Sequence, residues 1–226
     1  MALVSAVSIV DALAIELRDR VFSGELTQKD TLTEAEVSRM FEVARPTAKA
    51  AIEKLVGEGV LTRSAHKTAR VPTLGPDDVR DIYRTRARLE SGVLVELARS
   101  GLIPLEAVQA NLDIEALTDS TPLSIVEPDM RFHASLVNAI DSPRTSRMFQ
   151  SLVSEIRLCM VQVQGKNLLT TESILTEHRL ILSAIESGDG ALAMDILATH
   201  LGRARERLAG ATGGQSGSEA LLPVWS

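Results

Sequence analysis

Aromatic side chains are scarce in this chain: Phe, Trp and Tyr together make up 3% of 226 residues. A core must therefore be filled by aliphatic residues and alanine. A single cysteine, Cys159, excludes an intrachain disulfide and points to a reducing, cytoplasmic setting. Its neighbours are apolar, so a buried, inert thiol is expected. No apolar run approaches the ~20 residues needed to cross a bilayer, which excludes a membrane-spanning helix. The N-terminal segment has no basic stretch ahead of its apolar residues and soon carries charges at helical spacing, so it does not read as a signal peptide. Strand signals are sparse, and no internal repeat is evident. What remains is rich in Ala, Leu, Glu and Arg, the composition of a mainly α protein.

The net charge of −6 argues against a wholly nucleic-acid-binding chain, but it is unevenly spread. Residues 1–74 are balanced, and the remainder carries the whole excess. Between 39 and 70 lie Arg39, Arg45, Lys49, Lys54, Arg63, Lys67 and Arg70 against only Glu42, Glu53 and Glu58. That local excess suits phosphates, and it equally suits a solvated helix face.

Val7, Val10, Leu13, Leu17 and Val21 recur at helical steps over 6–22, with Gly24 as a stop. Thr33 and Glu36 have the spacing of a capping box ahead of a helix whose apolar side is Val37, Met40 and Phe41. After a short break, Pro46 opens a helix over about 46–57, with Ala48, Ala51, Ile52 and Leu55 on one side. Val60, Leu61 and Val71 flank a polar basic stretch that reads as a hairpin of about 12 residues. Helix, helix, tight turn, helix and basic hairpin make the order of a winged helix-turn-helix. The helix after the turn would enter the major groove. Arg45 and Lys49 would make the direct contacts and Thr47 a lesser one, while Arg39, Arg63, Lys67 and Arg70 would meet phosphates or the minor groove. A small helical domain with a basic solvated face is the alternative.

Leu74-Gly75-Pro76 reads as a hinge, separating a domain at 1–74 from one at 76–209. Six helices are expected beyond it: 76–100, 103–117, 122–141, 143–164, 170–187 and 190–209. The Gly- and Ser-rich segment 210–226 reads as a flexible tail. Three of the four histidines fall in this half. Asp129 and His133 are four apart and share a helix face. His178 and His200 are each eleven residues from Asp189, so two helices folded about that residue bring both imidazoles to one height. Three imidazoles and a carboxylate converging in a bundle would bind a metal. Three unrelated histidines, each with its own hydrogen bond, is the plainer reading.

The N-terminal half resembles the GntR family of bacterial regulators from Leu17 to Val71. The resemblance rests on Leu32-Thr33-Glu34, then the run Val43-Ala44-Arg45-Pro46-Thr47-Ala48-Lys49-Ala50-Ala51-Ile52-Glu53-Lys54-Leu55, then Gly59-Val60-Leu61. Departures are Ala44 for a serine, Pro46 one position early and Lys49 for an arginine. A Pro-Gly is also missing before Leu32, and the wing has no glycine. The second half resembles the FCD effector domain of the FadR subfamily, in its VanR-like six-helix variant, over about 76–210. Its signatures are Arg86-Ala87-Arg88-Leu89-Glu90, Asp129-Met130-Arg131-Phe132-His133, Glu177-His178-Arg179, Gly188-Asp189 and His200-Leu201. Ser142 stands where an asparagine is common.

This resemblance implies a homodimeric, DNA-binding transcription repressor on double-stranded operator DNA. It further implies a divalent metal on Asp129, His133, His178 and His200 (zinc first, nickel or manganese as alternatives) and a small organic acid effector beside Arg86. Arg157 is a second candidate for that acid, with a surface salt bridge as its alternative. Glu177 would orient a ligand histidine or simply face solvent. The rival readings are a metal-dependent hydrolase, for which the chain shows no separate general base, and a regulator that senses the metal itself.

Overall fold

In the computed structural model, which describes residues 8–63, 68–118, 122–163 and 170–215, Ser8 opens helix α1 (Ile9–Phe22) by accepting from the Asp11 amide. Leu13, Ala14, Leu17 and Val21 form its buried face. Helix α2 (Glu34–Met40) begins at a reciprocal capping box. Thr33 Oγ1 accepts from the Glu36 amide at 3.2 Å, and Glu36 Oε2 accepts from the Thr33 amide at 3.0 Å. Val37 is buried as expected, but Met40 is 52% exposed. The helix stops at Met40, so Phe41 leaves its face and lies half-buried under the Arg20 guanidinium.

The turn that follows places Glu42 at φ +51, in the left-handed region. Ser38 holds it from below: its hydroxyl donates to the Val43 carbonyl at 2.6 Å, and its carbonyl accepts from the Val43 amide at 3.1 Å. Helix α3 (Arg45–Gly57) has Ala44 as its N-cap, with no side-chain hydrogen bond, and Pro46 in its first turn, where a missing N–H costs nothing. Ala48, Ala51, Ile52 and Leu55 are fully buried, packed on α1 and α2. The wing is a hairpin, with residues 64–67 outside the described residues. Strands β1 (Thr62–Arg63) and β2 (Ala69–Arg70) pair antiparallel, Thr62 opposite Arg70 and Arg63 opposite Ala69. A single bridge between Leu32 and Ala69 ties this ribbon to the connector before α2.

The chain divides into two units, Met1–Thr73 and Leu74–Ser226. Six helices make the second among the described residues: α4 (Pro76–Ser100), α5 (Leu105–Glu115), α6 (Pro122–Asn138), α7 (Pro143–Gln162), α8 (Thr171–Glu186) and α9 (Gly190–Ala211). Their ends differ from the expected ones for local reasons. Pro104 is the N-cap of α5, which delays its start, and Asp141 at φ +50 follows the end of α6. Ser142 caps α7 by accepting from the Thr145 amide, the substitute for the asparagine common at this position. α9 runs on to Ala211, so the segment from Gly210 starts inside a helix; residues 216–226 lie outside the described residues.

Helix α4 is central to this unit and packs against α6, α7, α8 and α9. Its contact with α9 is closest at Gly190, where a Cβ would sit 3.1 Å from the Val95 Cα. Gly188 at φ +78 and the Asp189 cap, which accepts from the Leu192 amide, turn α8 back along α9. Cys159 is buried in the core, and burial pushes its thiol up to about 12, which leaves it inert at neutral pH. Among the described residues no helix is long and apolar enough to cross a membrane.

Thr33→Ala removes one side of the capping box and is expected to cost about 1 kcal/mol. The check is native-state hydrogen exchange of the full chain. Faster exchange should be confined to the amides of α2 and its neighbours in the first unit, with α4–α9 unchanged.

Candidate metal centre

Three helices deliver one cluster. Asp129 and His133 sit one turn apart on α6, His178 on α8 and His200 on α9; one ligand-capable atom from each lies within 4.8 Å of all the others. His133 and His178 are fully buried and His200 nearly so. The turn at Gly188–Gly190 sets His178 beside His200, with ring centroids 5.0 Å apart.

What orients the rings is a set of acceptors that hold their Nδ1 atoms. Glu90 Oε2 is 2.5 Å from His133 Nδ1, and Glu177 Oε2 is 2.8 Å from His200 Nδ1. An ionised carboxylate only accepts, so with Glu90 and Glu177 ionised both Nδ1 atoms carry the proton and the Nε2 atoms of neutral rings present lone pairs. Asn111 on α5 holds His178 in the same manner, Oδ1 to Nδ1 at 2.8 Å. Phe132 stacks flat on His178, with centroids 3.7 Å apart and planes 6° from parallel. Glu90 is itself gripped by Arg86, whose Nε donates to its other oxygen at 2.5 Å, and Glu177 is in contact with Arg203.

The consequence is an electrostatic conflict. His133 Nε2 and His200 Nε2 face each other at 3.2 Å, lone pair against lone pair. His178 Nε2 and Asp129 Oδ1 lie 3.3 Å apart without the alignment of a hydrogen bond, and both are buried without a partner. Burial pushes His178 down to about 4 and His133 well below its ordinary value, so these two rings are neutral at neutral pH. Burial alone would raise the Asp129 carboxyl, but the three imidazoles around it outweigh that and hold it low. Neutral imidazoles and an ionised carboxylate are the protonation states in which these groups bind metals. Donors about 2.0–2.1 Å from one ion stand roughly 3.0–3.4 Å apart when adjacent. The observed 3.2 and 3.3 Å separations fit that spacing.

Beside the cluster is a small cavity of about 20 Å³, lined in part by Asp129, His200, Tyr83 and Arg86. Arg86 is 1% exposed, and its Nη2 has no hydrogen-bond partner. The other candidate arginine, Arg157, is not among the lining residues. It donates to Glu127 at 2.5 Å, the salt bridge given above as its alternative. Glu90, Asn111 and Phe132 were not singled out from the sequence. Arg86 and Glu90 stand four apart, which was a usable signal; Asn111 offered none.

In the first unit, Arg39, Arg45, Lys49 and Arg70 are exposed and Thr47 is half-buried. Arg63 points elsewhere: it reaches Glu34 at 3.0 Å and Glu53 at 3.5 Å, bracing β1 against α2 and α3. Lys67 lies outside the described residues.

Comparison with known proteins resolves the class. The bacterial regulatory protein family gntR matches residues 9–71, and the FCD domain matches residues 81–203, over half of the chain. The chain belongs to the GntR family and carries an FCD domain. It is a transcriptional regulator and not an enzyme, which removes the hydrolase alternative. Among curated relatives, this GntR regulator is 26% identical to the gluconate operon transcriptional repressor of Bacillus subtilis (strain 168) over 197 residues, 82% of this chain and 79% of the relative. It is 22% identical to the HTH-type transcriptional regulator YdhC of the same organism, over 85% of this chain and 88% of the relative. In fold it resembles a GntR regulator from Rhodococcus sp. RHA1, with a TM-score of 0.73, 20% identity and coverage of 89% and 97% of the two chains. It also resembles McbR/YncC of E. coli, with a TM-score of 0.67, 18% identity and coverage of 87% and 94%.

The buried imidazoles make a pH prediction. His133 and His178 bind protons more weakly in the folded than in the unfolded chain, so the unfolded state takes up protons first as pH falls. Chelator-treated protein should keep its stability above about pH 6.5, the unfolded histidine value, and lose it progressively down to about pH 4. Urea denaturation across that range checks this, and His178→Gln should flatten the slope.

Proposed function

We propose that this GntR regulator is a repressor that binds operator DNA as a homodimer and whose FCD domain holds one divalent cation on Asp129, His133, His178 and His200. Zinc suits three imidazoles and a carboxylate best, with nickel and manganese as alternatives. The observation that carries the reading is the convergence of three histidine rings and the Asp129 carboxylate, with one ligand-capable atom from each within 4.8 Å of all the others. A cation supplies the missing positive charge, and when bound it offers a Lewis-acidic position to a ligand carboxylate. Glu90, Asn111 and Glu177 keep the imidazole tautomers fixed, the role outer partners of metal-bound histidines ordinarily play.

The effector is a small organic acid. Arg86 is held charged by Glu90, and its remaining Nη2 donors are available to an anion in the adjacent cavity. An effector shifts the equilibrium between DNA-binding and released dimers only by its differential affinity for the two. The repressor sign rests on the name of the gluconate operon relative. On DNA, Arg45 and Lys49 at the exposed start of α3 read the major groove, with Thr47 beside them. Arg39 and Arg70 contact phosphates, and Lys67 is a further candidate for phosphate or the minor groove. Arg63, tied to Glu34 and Glu53, positions the wing rather than contacting phosphate directly.

Two measurements test this. Metal analysis of purified protein should find about one ion per chain in the wild type and less than a tenth of that in His178→Ala and His200→Ala. Full occupancy in both variants overturns the assignment. Anisotropy with operator DNA selected by the protein from random sequence should show Arg45→Ala weakening binding by about 1–3 kcal/mol. It should also show affinity falling steeply as salt rises. Salt-independent retention contradicts the DNA-binding roles.

A further inference from the structure

The exposed face of α3 is not uniformly basic. Arg45, Lys49 and Glu53 follow one another at steps of four, so they form one stripe along the helix, from its first turn to its third. All three are exposed, while Ala48, Ala51, Ile52 and Leu55 take the opposite, buried face. Glu53 shares a single oxygen between two cations. Its Oε1 lies 3.8 Å from Lys49 Nζ and 3.5 Å from Arg63 Nη1. Neither pair holds the first unit together. Arg63 is already bound to Glu34 at 3.0 Å, and the Lys49 and Glu53 side chains are each about half in water, where such a pair adds little stability. The acids that do brace α3 against α1 reach across at closer range: Asp11 to Lys54 and Glu58 to Arg18, both at 2.5 Å. Glu53 therefore places a negative charge on the DNA-facing stripe with little return to the fold.

We propose that Glu53 is a specificity-determining residue that acts as a charge brake on binding to non-operator DNA. This rests on the reading of Lys49 as a major-groove contact. Phosphates are the same on every duplex, so a lysine free to take any of them strengthens binding without regard to sequence. Glu53 offers Lys49 a competing anion one helical turn away, and it repels phosphates that approach the third turn of α3. On random DNA the lysine therefore stays with the carboxylate. On the operator a base edge with two acceptors, as guanine presents, draws it away. Removing the carboxylate gives Lys49 a phosphate contact on random DNA that it did not have. On the operator it adds no contact, because Lys49 is already engaged there.

The test compares full-length wild type and Glu53→Gln on two duplexes, the operator selected from random sequence and a shuffled duplex of the same composition, by anisotropy across a range of salt. Glu53→Gln should bind the shuffled duplex about three- to tenfold more tightly and the operator no more than about twofold more tightly, so the ratio between them falls. The salt slope on the shuffled duplex should steepen by about 1, one further phosphate contact, and the operator slope should hold. Operator binding reports that the variant is folded. In a Lys49→Ala background the same substitution should no longer steepen the slope, which ties the effect to that lysine. Glu16→Gln, the same charge change on α1, should leave both affinities within about twofold. An unchanged shuffled-duplex affinity and slope overturns the inference, and so does an equal gain on both duplexes. Weaker operator binding also overturns it and makes Glu53 an acceptor for a base amine. Wild-type protein that binds both duplexes without salt dependence overturns the DNA-contact reading of α3 itself.

Discussion

Three acceptors fixed on three different helices decide what this domain can do. Glu90, Asn111 and Glu177 each take the Nδ1 proton of one histidine, and by doing so they turn every Nε2 lone pair inward. A buried lone pair without a donor is unfavourable, and two facing one another at 3.2 Å are worse. The bundle accepts this arrangement because the same crowding becomes attractive once a cation is present. On the proposed reading, metal binding and folding of the C-terminal unit are linked: an ion held there would stabilise the folded chain by mass action, growing with the logarithm of its concentration over its dissociation constant.

The wiring behind the cluster extends this link to the cavity. Arg86 grips Glu90, Glu90 holds His133, and the free side of the same guanidinium faces the cavity that Asp129 and His200 also line. An anion drawn to Arg86 would therefore compete with Glu90 for its charge and alter the hold on His133. A single buried arginine would thus couple the proposed effector and cation without a longer chain of contacts. Phe132 gives His178 an apolar face to rest against, so the ring is fixed by stacking as well as by its hydrogen bond.

Much of this was legible in the residues. The i, i+4 pair Asp129/His133 and the equal distances of His178 and His200 from Asp189 are one-dimensional traces of a three-dimensional cluster. They survive in the sequence because helices convert spacing into direction. The capping box at Thr33 and Glu36 and the four buried residues of α3 were readable for the same reason. The acceptors were harder. Asn111 and Glu90 meet histidines 67 and 43 residues away, contacts that depend on packing between helices and leave no local pattern. Arg63 and Arg157 looked like anion contacts because charge counting cannot see partners: Glu34, Glu53 and Glu127 claim them in the folded chain. The bridge that ties the wing to Leu32 was not readable either, because that partner lies outside the hairpin. Met40 became exposed because the helix ended one residue before Phe41, a boundary that periodicity does not fix.

The central claim is that three imidazole nitrogens and one carboxylate of a single chain share one ion. X-ray absorption at the zinc edge of stoichiometrically loaded protein addresses it directly. The account predicts a first shell of nitrogen and oxygen at about 2.0–2.1 Å, with the outer-shell multiple scattering of about three imidazoles. A sulfur scatterer at about 2.3 Å, or fewer than two imidazoles in the shell, would contradict it.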